Sequence, residues 1–188
     1  MTKKKIIQIL SQGGIGVLPT DTLYGLVGSA FSEKAVARIY AVRKRNGKKP
    51  FIILIGSFAD LELFNIKLET KVSGVLKKIW PGKVSVILPC PQKKFSYLHR
   101  GTKTMAFRLP ADKKIAGLLK KTGPLAAPSA NPEGLNPAQN ILQAKKYFGD
   151  KADFYWNGGI LKSKPSTIIA IEKGKIIIRR EGTVKINL

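Results

Sequence analysis

The chain has 188 residues, 44% of them apolar and spread along its whole length, which is enough to bury a core in one domain and cramped for two domains. Its 34 Lys and Arg against 11 Asp and Glu give a formal charge of +23, more than solubility requires, so a phosphate-bearing partner is expected, whether nucleotide or nucleic acid. One histidine, one cysteine and scattered acids leave no material for a His-based hydrolase triad, a zinc site or an internal disulfide; a reducing cytoplasm is the expected setting, and chemistry has to rest on cations, hydroxyls and backbone amides.

In chain order, Ile6, Ile7, Ile9 and Leu10 suit one face of a helix ending at Gly13 and Gly14. That apolar stretch is too short for a signal peptide or a membrane span. Residues 15 to 18 then read as a buried strand running into Pro19 and delivering PTDTLYGL at its end. Ser32 caps a second helix whose apolar positions run to Val42, so the basic run RKRNGKK begins in its last turn. Pro50 precedes FIILI, the continuous apolar run of a strand covered on both faces. A short helix is expected from Ser57 through Phe64, another from Thr70 to Trp80, and strands at VSVIL and TMAFRL. Asp112 to Lys121 reads as helix, LAAP as strand, Ala138 to Phe148 as helix and DFYW as strand. STIIAI and KIIIRR close the chain as a hairpin about a turn at Lys173 and Gly174. This alternation predicts a single α/β domain with a twisted sheet of mixed parallel and antiparallel strands flanked by helices, its ligands at strand ends. Cys90, between two prolines after an apolar run, reads as structural.

Three segments carry chemistry. In PTDTLYGL the hydroxyls of Thr20 and Thr22 follow a buried strand, and Gly25 permits a close backbone approach, although Asp, Thr and Gly are also ordinary turn residues. RKRNGKK places five cations in seven positions; as a solvated face it needs no ligand, but between a helix end and a buried strand it aims Arg43 and Arg45 at one phosphate group. In PSANPEG, small residues let main chain approach a ligand, while the Ser129 hydroxyl and Asn131 amide donate to phosphate or base edges. Lysines such as Lys3 to Lys5, Lys93 and Lys94 read as general surface charge.

Taken together, PTDTLYGL, the basic run ahead of PFIIL, WPGKVSVIL, FRLP, PSANPEG, PSTII and RREG occur in the order that characterises the YrdC-like family, and from about residue 6 to residue 184 the chain resembles it. The family's Lys-x-Arg and Ser-x-Asn pair corresponds here to Arg43-Lys44-Arg45 and Ser129-Ala130-Asn131, with arginine in place of the first lysine. A histidine that some relatives carry near Leu54 is absent, and the chain looks like the short single-domain form, residues 1 to 188. The resemblance implies threonylcarbamoyl-AMP synthesis from L-threonine, bicarbonate and ATP, with Mg2+ accompanying ATP and no metal-ligating side chains. It implies that Arg43, Arg45, Thr104, Ser129, Asn131 and Arg180 bind ATP, that Thr20, Thr22, Arg108 and Ser166 face threonine, and that Arg108 meets its carboxylate. The same likeness implies proteins that transfer threonylcarbamoyl to tRNA as partners, and the basic charge adds RNA through the basic surface. Two alternatives stand beside it, a basic RNA-binding module without catalysis and carbamoyl transfer to another acceptor.

Overall fold

A computed structural model describes residues 1–172 and 174–186, so Lys173 of the expected turn lies outside the described residues. The elements in chain order are α1 (Lys3–Ser11), β1 (Ile15–Pro19), β2 (Tyr24–Ser29), α2 (Glu33–Arg43), β3 (Ile52–Leu54), α3 (Thr70–Ile79), β4 (Val84–Pro89), α4 (Ser96–His99), β5 (Thr104–Arg108), α5 (Lys113–Thr122), β6 (Leu125–Ala126), α6 (Ile141–Phe148), β7 (Phe154–Tyr155), β8 (Thr167–Glu172) and β9 (Lys175–Arg180). The nine strands form one sheet in the order β7-β1-β2-β6-β3-β5-β4-β8-β9. Pairings β1 with β7, β3 with β5 and β4 with β8 are parallel, and the remaining neighbours are antiparallel. The expected mixed sheet flanked by helices is the observed one.

Alternating strand residues divide the interior into two cores. Leu26 and Ile53 point into the larger, which α2 and α4 also line through Ile39 and Leu98. Val27 and Leu54, their sequence neighbours, point the other way and are sealed by Ile6 and Leu10 of α1 and by Ile115, Leu118 and Leu119 of α5. Leu54 pairs in register with Arg108, so Arg108 leaves β5 on the same face as this smaller core, one strand beyond it. Ile168 pairs in register with Arg180 further along the sheet. The site therefore begins where the cover of α1 and α5 gives out.

Several expectations shift at their edges. Tyr24–Ser29, whose first three residues alone read as the tail of the strand-end segment PTDTLYGL, is a strand of its own, forming a tight hairpin with β1 in which Pro19 pairs with Tyr24. Its two glycines and short apolar stretches hid the strand period. The segment Phe58–Phe64 is a 3-10 helix, and the Ser57 hydroxyl donates to the Asp60 carboxylate at 3.0 Å instead of capping it. The last long helix starts at Ile141, three residues later than expected, because Asn140 accepts from the Gln143 N–H and caps it. Ser32 caps its helix as expected, whereas Asp112, read as the first residue of its helix, stands just before it and caps it by accepting from the Ile115 N–H.

Candidate active site

The basic run enters the site through a change of backbone hand. Helix α2 ends at Arg43, and Lys44 adopts the left-handed conformation (φ 50°) while its N–H bonds to Ala41 O. For a non-glycine residue this costs about 1–2 kcal/mol. The bend keeps Arg43 in the last helical turn and sends Arg45 forward, so that both reach the same cleft. Arg43 is 2% exposed. Its Nε donates to Asn131 O at 2.8 Å, and Nη2 donates to Ser129 Oγ and Asn131 Oδ1, both at 3.3 Å, which leaves Nη1 buried without a partner. Burial first, and then the neighbouring Arg45, lower its pKa to about 10. Arg45 is held only by its own loop, donating to Lys49 O at 3.3 Å and lying over the Phe51 ring at 5.5 Å.

PSANPEG continues from β6 as a bridge along β2. Gly25 pairs with Ser129, Leu26 N–H donates to Pro128 O and Ala130 N–H to Tyr24 O. Ser129 thereby faces the cleft. Asn131 is used differently from the expectation of a direct donor. Its Nδ2 donates to Pro132 O at 2.9 Å and Leu135 O at 2.7 Å, and its oxygens receive Arg43, so in this structure it braces the arginine. Glu133 adds a brace that the sequence reading passed over: it accepts from Asn46 N–H at 2.6 Å and Lys49 Nζ at 2.7 Å, pinning the basic loop. Its pKa is lowered chiefly by the hydrogen bond from Lys49, then by that from Asn46.

At the other end, the turn between β1 and β2 presents Thr20 and Thr22, whose hydroxyls lie 3.2 Å apart. Arg108, 4% exposed, donates from Nη1 to Thr22 Oγ1 at 3.0 Å and from Nη2 to Thr20 Oγ1 at 3.4 Å. Asp21, unnoticed in the sequence, places Oδ1 3.1 Å from the same Nη2. Burial lowers the Arg108 pKa, and Asp21 opposes that shift. Arg180 donates to Ser166 O at 2.8 Å, and the Ser166 hydroxyl lies 2.9 Å from that of Ser85, another residue the sequence gave no sign of. The Arg180 pKa is lowered by burial and then by repulsion from Arg108 and Arg45.

The RREG and PSTII runs prove to be one piece of structure. Thr183 N–H donates to Pro165 O at 2.9 Å, Thr167 Oγ1 bonds to Val184 O, and a β-carbon on Gly182 would lie 2.3 Å from Pro165 O. Only glycine lets the two backbones meet there, and that contact sets Ser166.

Arg43, Arg45, Arg108, Arg180, Thr20, Thr22, Ser129 and Ser166 thus line one cleft of about 250 Å3, and none of the described residues lining it is acidic. Asn131 sits behind this wall. Thr104 is not in it: it lies on the same face of β5 as Arg108 but four residues away, about 13 Å along the strand, and its hydroxyl donates to Thr102 Oγ1. Cys90 is buried, and burial pushes its thiol up to about 11, the state of an unreactive core residue. His99 is also buried, its Nδ1 accepting from Gly101 N–H at 3.2 Å.

An acid-free cleft with four guanidinium groups on the open part of a mixed α/β sheet defines a protein that binds a polyanion beside a smaller anion. The Sua5/YciO/YrdC family, described as Telomere recombination, matches residues 8–182, and the chain belongs to that family. It is 32% identical over 98% of its length to a putative threonylcarbamoyl-AMP synthase of Methanocaldococcus jannaschii, covering 89% of that protein. With the threonylcarbamoyl-AMP synthase of Cellvibrio japonicus it shares 29% identity, covering 90% of each. The crystal structure of Pyrococcus abyssi Sua5 complexed with L-threonine superposes with a TM-score of 0.86 at 28% identity over 96% of the chain. The chain spans about half of that longer relative, 54%.

Proposed function

We propose that the protein is an L-threonylcarbamoyladenylate synthase, a nucleotidyltransferase that joins L-threonine, bicarbonate and ATP, releases pyrophosphate and supplies the adenylate for threonylcarbamoyladenosine in tRNA. The observation that carries this reading is the convergence of Arg43, Arg45, Arg108 and Arg180 with the hydroxyls of Thr20, Thr22, Ser129 and Ser166 in one cleft without a lining carboxylate. Arg43 and Arg45, with Ser129, receive the triphosphate, and Arg180 adds charge between the two ends. Arg108 takes the threonine carboxylate, beside the Thr20, Thr22 and Ser166 hydroxyls. Asn131 acts through Arg43. Thr104 lies on the same strand face, where the part of the nucleotide away from the phosphates would extend.

The chemistry suits these residues. The threonine amine, once deprotonated, adds to carbon dioxide with release of a proton, or condenses with bicarbonate with loss of water, and becomes a carbamate. A carbamate oxygen then attacks the α-phosphorus of ATP, and the bond to pyrophosphate breaks. The attacking oxygen is already anionic, so this step needs positioning and charge neutralisation and no strong protein base. The arginines neutralise the charge that builds on the leaving pyrophosphate. Among the described residues no group of three His, Cys, Asp or Glu is placed to hold a metal ion. The described residues lining the cleft offer no carboxylate to a cation, so a magnesium ion arriving with ATP would keep phosphate oxygens and water as ligands and would neutralise phosphate charge.

The products go to proteins that transfer threonylcarbamoyl to tRNA, in the cytoplasm. No described helix is long and apolar enough to cross a membrane. RNA contact has its own supporting observation: Lys3, Lys4, Lys5, Lys113, Lys114, Lys120 and Lys121 are all exposed on α1 and α5, which pack together. Pyrophosphate release from ATP by the purified protein tests the reading. Release that requires both threonine and bicarbonate is expected. RNA binding with steep salt dependence and no such release would instead favour the RNA-binding module.

A further inference from the structure

Asp21 occupies the tip of the hairpin between β1 and β2, where an aspartate ordinarily faces water or bonds to the backbone of its own turn. Here the turn is closed without it: Thr20 Oγ1 accepts from the N–H groups of Thr22 and Leu23 and donates to Leu23 O at 2.7 Å. The Asp21 side chain is 6% exposed, and neither carboxylate oxygen receives a hydrogen bond, although Oδ1 stands 3.1 Å from Arg108 Nη2. A buried carboxylate without a donor is costly unless a charge compensates it. The only partner close enough to form an ion pair with it among the described residues is Arg108, itself 4% exposed.

The two groups do different work on Arg108. The Thr20 and Thr22 hydroxyls take directed hydrogen bonds from its Nη atoms, while Asp21 meets Nη2 at ion-pair distance without the alignment of a hydrogen bond. Asp21 therefore contributes charge, which offsets that of the buried guanidinium and keeps it in place. It leaves the directed donor positions open to another acceptor. Asp21 does not line the cleft, whereas Arg108 does.

We propose that Asp21 is a positioning residue: the resident counter-ion that balances the charge of Arg108 and holds it oriented before the substrate carboxylate arrives. Its effect on amino-acid binding rests on the function proposed above; its hold on Arg108 does not. Asp21→Asn keeps the shape and removes the charge. Its threonine Kd, measured by calorimetry, is expected to rise at least about tenfold while its ATP Kd stays within about twofold. A merely structural role would move both constants together. Asp21→Glu, which keeps the charge, is expected to recover part of the threonine affinity, and it serves as the test should the neutral variant fail to fold.

The 15N signals of the Arg108 guanidinium provide a second readout. Separate, slowly exchanging Nη signals are expected in the wild type and collapsed ones in Asp21→Asn. Unchanged signals, unchanged threonine affinity, or equal losses of threonine and ATP binding would each overturn the proposal. Failure of the wild type to bind threonine would overturn the proposed function instead, and the Arg108 signals would still decide whether Asp21 holds this arginine.

Discussion

At the two ends of the cleft, Arg108 and Arg45 are held in opposite ways. Arg108 is fixed by a buried carboxylate and two hydroxyls, whereas Arg45, half-buried, rests against its own loop and an aromatic ring. Arg43 belongs with the first kind, clamped by the backbone and side chain of Asn131. The difference suits the two ligands. A small amino acid needs a preformed socket, because it brings few contacts to offset ordering costs. A triphosphate brings enough charge to draw in an arginine that starts out loosely tethered.

Breaking the fixed end has the largest expected effect. Arg108→Ala leaves Asp21 buried without its counter-charge, so folding stability falls by about 3–5 kcal/mol, read as a lower midpoint in urea. Threonine-dependent turnover falls at least about a hundredfold, near 2.7 kcal/mol in the barrier. At the loose end, Arg45→Ala is expected to lower turnover at least about tenfold, roughly 1.4 kcal/mol, with no change in the unfolding midpoint. Wild-type rates in this variant would remove Arg45 from the site. The contrast between one variant that destabilises and one that does not is the comparison in measurable form.

Gly182→Ala sharpens the fixed end from a distance. Its new β-carbon collides with the backbone at Pro165 and Ser166, so stability drops by about 1–3 kcal/mol. Threonine affinity is expected to fall more than ATP affinity in paired titrations, because Ser166 moves. The smallest effect belongs to Glu133, which pins the loop carrying Arg45. Its pKa is depressed by the bonds from Lys49 and Asn46, so the brace is complete above the ordinary glutamate pKa of about 4.3 and is lost as pH falls through the lower folded-state value. Hydrogen exchange at the Asn46 amide should quicken in Glu133→Gln relative to wild type at pH 6, and ATP affinity should weaken by only about two- to threefold.

Much of this was legible in the sequence because the governing signals are local. Ser32 and Asp112 cap helices through side chains a few residues from the bonds they make, and the apolar runs at 15 to 18 and 84 to 88 mark buried strands. The missed strand Tyr24–Ser29 is defined by its partners β1 and β6 more than by its own glycine-broken pattern. The cleft residues were legible through family motifs, but their division of labour was not. Asp21, Ser85, Asn131 and Glu133 act through neighbours 81 to 88 positions away in the chain, and no spacing rule connects them. Thr104 shows the converse: the strand period puts it on the right face, and the four-residue separation, about 13 Å at the strand rise, sets it apart from Arg108.

The most direct test of the central claim is a crystal structure of the protein with L-threonine and a non-hydrolysable ATP analogue. The phosphates are expected against Arg43, Arg45 and Ser129, with the threonine carboxylate on Arg108. A nucleotide bound elsewhere, with these arginines still turned toward their present partners, would contradict the account.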